Sequence, residues 1–156
     1  MRTHTAHIRK FLLRLLILAV CLCLLSACEN RNNPIPNYPV YLDLDIPALY
    51  PHFVPDNGFQ TLVITQKRYE YELIGYAGVL VWISMDGKYC AADLCCVNCL
   101  DPKHPIIVDG IFAVCPLCGQ QYDISYGLAN PVNGTAKHTL RRFGTRFNGN
   151  ILQIRN

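Results

Sequence analysis

The chain has 156 residues, with 14 lysine and arginine against 11 aspartate and glutamate side chains, a formal charge of +3, and that length accommodates one domain and little more. Arg2, Arg9, Lys10 and Arg14 all precede residue 28, so the rest of the chain carries 10 basic against 11 acidic groups. A nearly neutral domain without a basic stripe excludes nucleic acid as the partner, because affinity for a phosphate backbone needs clustered cations.

Residues 1–27 begin with a basic stretch and continue in an apolar run from Phe11 to Leu25. Such a run is short for a membrane-spanning helix and has the plan of a secretory signal peptide. It ends in Leu25-Ser26-Ala27-Cys28, which resembles the bacterial lipobox: small residues suit a narrow peptidase site, and the Cys28 thiol is the nucleophile for lipid attachment. The alternative is an ordinary signal peptide that happens to end in cysteine. Arg9-Lys10 only partly matches a twin-arginine signal, so export of an unfolded chain is expected. A metal or cofactor would then be acquired outside the cytoplasm. The expected location is the bacterial cell envelope, with membrane contact through an N-terminal lipid on Cys28.

Residues 28–39 are polar and proline-rich and read as a lipid-anchored linker, since they cannot bury enough surface to fold alone. From residue 40 to 156 the pattern is β. Val40 to Ile46 alternates apolar and polar residues with period two. Thr61 to Thr65 is β-branched, and Gly78 to Ile83 is a mostly apolar strand. Asp86-Gly87 turns the chain into a partner strand, Lys88 to Ala92. Asp109-Gly110 is a second hairpin signal between Ile106–Val108 and Ile111–Val114. Strands are also expected at Gln121–Ser125, Thr139–Phe143 and Ile151–Ile154. No long helical period occurs, so the fold class is all-β, a small antiparallel β-sandwich or barrel.

Within this pattern, over about residues 93–125, lies Cys96-x-x-Cys99, fifteen residues, then Cys115-x-x-Cys118. That spacing is zinc-ribbon-like. A two-residue gap lets the chain curl so that both sulfurs face one ion, and Gly119 supplies the positive φ such a knuckle requires. Four thiolates suit a single Zn²⁺ or iron ion, or an iron–sulfur cluster. Two other readings remain: disulfides, because six domain cysteines make an even number in an exported protein, and a redox dithiol, which should open a helix rather than adjoin strands. Cys90 reads as a buried apolar residue, and Cys95 as a spare thiol or its disulfide partner. His104, His138, Lys103, Arg141 and Arg142 are lesser candidates for contact with the site.

The order of elements resembles the Rieske fold, in particular the small bacterial Rieske-like lipoproteins. Two adjoining strands, Gly78–Ile83 and Lys88–Asp93, lead into a cysteine loop, and a hairpin leads into Cys115-Pro116-Leu117-Cys118-Gly119, followed by Tyr122-Asp123, Gly127, Pro131 and Leu140. The resemblance implies a two-loop clasp for a [2Fe-2S] cluster in which each loop gives one cysteine and one histidine. Here the histidine positions hold Asn98 and Cys118. The clasp is thus expected to be four thiolates, Cys96, Cys99, Cys115 and Cys118. A [2Fe-2S] cluster so held should have a potential near the roughly −400 mV of all-cysteine ferredoxins, below the Rieske range of about −150 to +300 mV. The expected role is metal or cluster binding, with electron transfer to an unidentified membrane partner. A structural or interaction module holding zinc or disulfides is the alternative. No nucleophile–base pair points to a substrate-processing enzyme.

Overall fold

The computed structural model describes residues 33–156. Residues 1–27, read above as a signal peptide, and Cys28 lie outside the described residues. The strands are β1 (Val40–Asp45), β2 (Gln60–Ile64), β3 (Leu73–Ile74), β4 (Val79–Ile83), β5 (Tyr89–Asp93), β6 (Ile107–Asp109), β7 (Phe112–Val114), β8 (Gln121–Asp123), β9 (Asn130–Pro131), β10 (Arg142–Phe147) and β11 (Ile151–Arg155). Helix is confined to the four-residue α1 (Ile46–Leu49), N-capped by Asp45, and a 3-10 turn at Pro55–Asn57. The all-β expectation holds.

Seven strands form one antiparallel sheet in the order β2-β4-β5-β10-β11-β1-β3. Its strands contribute to one apolar cluster: Ile64, Val81, Ala91, Phe143, Leu152 and Leu42 are all buried, with Ile74 packed against them. A sheet that feeds one interior from every strand has curled into an almost closed barrel. The period-two pattern of β1 has this cause. Val40, Leu42 and Leu44 face the barrel, while Tyr41 faces out under the Arg155 guanidinium, 3.7 Å from its ring centroid. Each buried aliphatic side chain contributes about 1.5–3 kcal/mol relative to exposure.

β4 has no solvent face. Val79, Val81 and Ile83 enter the barrel, and Leu80 and Trp82 point the opposite way into a second core. That core lies under a four-stranded sheet, β6-β7-β8-β9, and includes Leu94, Ile106, Tyr122, Ile124 and Leu140. Burial on both faces explains why β4 reads as a continuous apolar run. The β6–β7 hairpin closes through a two-residue turn, with Asp109 opposite Phe112 and Gly110 at φ +56° in the first central position.

Two expectations need correction. The strand expected at Thr139–Phe143 runs instead from Arg142 to Phe147. Residues 140 and 141 are used as a bridge: the Leu140 N–H donates to the Ala129 carbonyl, and the Arg141 carbonyl accepts from the Asp93 N–H. β10 pairs with β5 only over Arg142–Phe143 and with β11 from Gly144 to Phe147, so it carries the sheet round a corner. The second correction concerns the linker. From Asn33 onward it is docked: Ile35 is fully buried in the second core, and the Arg141 guanidinium donates to the Ile35 and Asn33 carbonyls. The segment cannot fold alone, but the domain supplies the surface that Ile35 covers.

The barrel also buries one ion pair. Glu72 is fully buried and accepts from the Arg68 Nε–H at 2.9 Å and the Arg68 backbone N–H at 2.7 Å. Burial alone would raise the Glu72 pKa, but the Arg68 hydrogen bonds and charge outweigh it and hold the carboxyl below its ordinary value. A depressed folded-state pKa gives stability that is present above the unfolded value and lost as pH falls through the folded one. Acidification should therefore lower the urea midpoint of the wild-type protein more steeply than that of Glu72→Gln. Equal slopes would show that this pair does not contribute to acid sensitivity.

Candidate metal centre

Each half of the centre is a tight turn leaving a strand. After β5 the chain passes through Leu94 into the Cys96–Leu100 knuckle, and after β7 into the Cys115–Gly119 knuckle. The two turns share one geometry. The Leu100 N–H donates to the Cys96 carbonyl at 3.0 Å, and the Gly119 N–H to the Cys115 carbonyl at 2.9 Å. Both closing residues have positive φ, +53° at Leu100 and +70° at Gly119. A left-handed conformation costs a residue with a Cβ about 1–2 kcal/mol, so the first knuckle carries strain that glycine removes from the second. No atom lies within 4 Å of a Cβ built at Gly119. Gly119→Ala should thus lower stability by about 1 kcal/mol through its backbone alone. An unchanged unfolding midpoint in the metal-free protein would remove that account.

The hairpin between the knuckles brings all four cysteines together. The sulfurs of Cys96, Cys99, Cys115 and Cys118 lie within 4.8 Å of one another. Two contacts cross between the knuckles: 3.7 Å from Cys96 to Cys118 and 3.7 Å from Cys99 to Cys115. A tetrahedral ion with metal–sulfur bonds of about 2.3 Å holds its sulfurs roughly 3.8 Å apart. The four sulfurs therefore fit one metal ion. All six described cysteines are free thiols, so no disulfide forms among the described residues.

Before any cation is considered, the cluster is electrostatically uneven. Burial pushes Cys115 and Cys99 above the ordinary thiol pKa. Burial also acts on Cys96, but hydrogen bonds from Tyr122 and from the backbone N–H groups of Cys99 and Asn98 outweigh it and bring its pKa below the ordinary value. Ionisation is thus easier at Cys96 than at Cys99 or Cys115, and a negative charge there opposes ionisation of the next. A bound cation reverses that opposition.

Tyr122, named in the sequence only as part of the Rieske-like order of elements, lies against the centre. It is fully buried; its hydroxyl accepts from the Val97 N–H at 3.1 Å and lies within hydrogen-bond distance of Cys96 Sγ, at 3.5 Å. Gln120 is the second residue sequence reasoning missed. Its buried side chain ties the second knuckle to the loop after β9, accepting from the Ala136 N–H and from Asn98 Nδ2. Neither residue type is a metal ligand at a telltale spacing; Tyr122 stood only within the element order that resembles the Rieske fold, and Gln120 had no signal. Tyr122→Phe leaves the Val97 N–H without an acceptor and Cys96 with one donor fewer. A loss of about 1–3 kcal/mol is expected, with weaker metal affinity in a chelator competition; unchanged affinity would reduce Tyr122 to packing.

The remaining candidates stand apart. The Asn98 side chain donates to Thr135 Oγ1 at 3.1 Å and to Gln120 Oε1. His104 is exposed and paired with Asp101, and His138 lies outside the cluster. Lys103 is bonded through its backbone to Asp101; Arg141 holds the docked segment, and Arg142 donates to the Gly127 carbonyl. Cys90 lies on β5 and is partly buried against the second core. Cys95 is fully buried, with its thiol pushed up to about 12 by burial. Asp93 positions this stretch, its carboxylate accepting from the N–H groups of Tyr76, Ala77 and Cys95.

No protein-family model, curated protein or solved structure matches this chain.

Proposed function

We propose that this protein is a lipid-anchored, Rieske-like protein of the bacterial envelope that holds a single metal ion at Cys96, Cys99, Cys115 and Cys118. The observation that carries the reading is the mutual closeness of the four sulfurs, all within 4.8 Å. A [2Fe-2S] cluster, the cofactor the family resemblance implies, places two irons and two sulfides between its cysteine pairs. It would hold those pairs well beyond the edge of a single tetrahedron. Zinc or one iron, with a tetrahedral edge of about 3.8 Å, matches the two 3.7 Å contacts and asks the other sulfurs only to close in from at most 4.8 Å.

Four protein thiolates fill a tetrahedral shell and leave no position for a substrate. The centre is therefore read as a non-hydrolytic one. With iron it is an electron carrier to a membrane partner. With zinc it is a structural staple, a reading favoured by the way both knuckles rest on the second core. The Leu25–Cys28 motif supports the lipid anchor at the sequence level.

Purified protein assayed for zinc, iron and acid-labile sulfide, together with its visible absorption, tests the centre. One ion per chain and no sulfide is the expected result. Two irons and two sulfides would replace the single ion by a cluster, and absence of metal would remove the reading. Recovery of the exported protein in the detergent phase, carrying a lipid label, tests the anchor separately.

A further inference from the structure

The four cysteines differ in exposure. Cys96 and Cys115 are each 1% exposed, Cys99 is partly buried and Cys118 is exposed. Cys96 and Cys115 are also approached by hydrogen-bond donors. Cys96 accepts from Tyr122, Asn98 and Cys99, and Cys115 accepts from the backbone N–H groups of Leu117 and Cys118. Donors of this kind draw charge from a thiolate and make it a poorer nucleophile. The corner at Cys118 is also the part of the centre an outside molecule can reach. Beside it, Leu117 at the tip of the second knuckle is 50% exposed, and Leu100 at the end of the first is 39% exposed. Cys118 follows the exposed tip residue Leu117, and its knuckle closes through the Gly119 N–H on the Cys115 carbonyl.

We propose that Cys118 is the port of the centre, the sulfur that an external thiol displaces when metal is received or surrendered. The inference rests on the single-ion reading and adds the route by which the ion moves. In the exchange, the donor sulfur forms a bond to the ion and the bond from the ion to Cys118 Sγ breaks. The proton released by the donor thiol passes to Cys118, and no electron changes hands. The partner is a thiol-bearing metal donor or acceptor. Cys96 and Cys115, buried and hydrogen-bonded, keep the ion in place while the outer ligand turns over. Such a port suits a chain exported unfolded, which must take up its metal after folding.

The test uses the purified full chain loaded with Zn²⁺, its zinc content measured first. Limiting iodoacetamide is added, and alkylated cysteines are mapped over time by peptide mass spectrometry. Cys118 should react about tenfold faster than Cys96, Cys99 or Cys115, and glutathione should speed zinc transfer to a chromogenic chelator. Cys118→His, which keeps a fourth ligand, should still hold zinc and lose the fast alkylation. First alkylation at Cys96, Cys99 or Cys115, or simultaneous reaction of all four sulfurs, would overturn the port and leave the metal reading standing. A chain that takes up no zinc would overturn the metal reading itself, and the port with it.

Discussion

Cys96→Ser should lose bound metal and, with it, the order of the β6-β7-β8-β9 sheet, whereas Cys90→Ser should lose neither. Serine offers a hydroxyl that does not ionise at neutral pH and is a poor partner for a soft ion. At position 96 that hydroxyl would also be buried, 1% exposed, beside the three remaining cysteines. Binding of a structural ion supplies folding free energy, about 10–16 kcal/mol in zinc-finger peptides, so even partial loss exceeds the effect of most single substitutions. The strands around the centre are only three residues long at β6, β7 and β8, and two at β9. They have little hydrogen bonding of their own to fall back on. The barrel has a separate interior built from β1, β2, β4, β5, β10 and β11. It should therefore outlast the cysteine-bearing sheet, and thermal unfolding of the variant should separate into two transitions. Cys118→Ser should be milder, because solvent can approach a ligand at an exposed corner. Metal content and calorimetry with and without chelator check this. Metal retained by Cys96→Ser, or a melting profile indifferent to chelator, would refute it.

The parts of this fold that were legible are those in which local pattern and burial agree. β1 alternates because one side of it is inside the barrel, and β4 is uniformly apolar because two cores claim it. The Asp109-Gly110 turn is written in residue types that tolerate its backbone. β10 was misplaced because Gly144, Thr145 and Arg146 are not buried and carry no apolar signal; their strand character comes from β11, which they pair. The two-residue strands β3 and β9 likewise exist only through their neighbours. Ile35 was lost in a polar stretch because its partners, Leu94 and Leu140 among them, are distant in sequence. At the centre the ligands follow from spacing alone, since a knuckle is a local structure. Access is not local. That Cys96 is buried and Cys118 exposed depends on how the small sheet rests against Trp82 and Leu80, and no window of sequence contains that information. Tyr122 shows the same limit: its hydroxyl meets Cys96 across the sheet, 26 residues away.

Trp82→Ala should be among the most destabilising single changes, and Trp82→Phe should be mild, with the contrast between them the informative result. Trp82 is the largest fully buried side chain and sits where β4 turns its outer face to the cysteine-bearing sheet. Truncation to alanine leaves a cavity in a core that is shared by the barrel wall and the metal centre, at a cost of about 3–5 kcal/mol. The loss should also reach the metal, because Leu94, Cys96 and Cys115 belong to the same packed cluster. Metal affinity should fall together with the unfolding midpoint. Phenylalanine behaves differently for a specific reason. The indole Nε1–H is buried without a hydrogen-bond partner, and a buried unpaired donor costs about 1–3 kcal/mol. Trp82→Phe removes that donor while keeping most of the apolar volume. The relief and the smaller cavity then oppose each other, and the net change should stay within about 1 kcal/mol. Urea unfolding of both variants, with a chelator competition on each, decides the matter. A large loss for Trp82→Phe would mean that the indole N–H has a partner in solution, and a small loss for Trp82→Ala would mean that the second core closes over the gap.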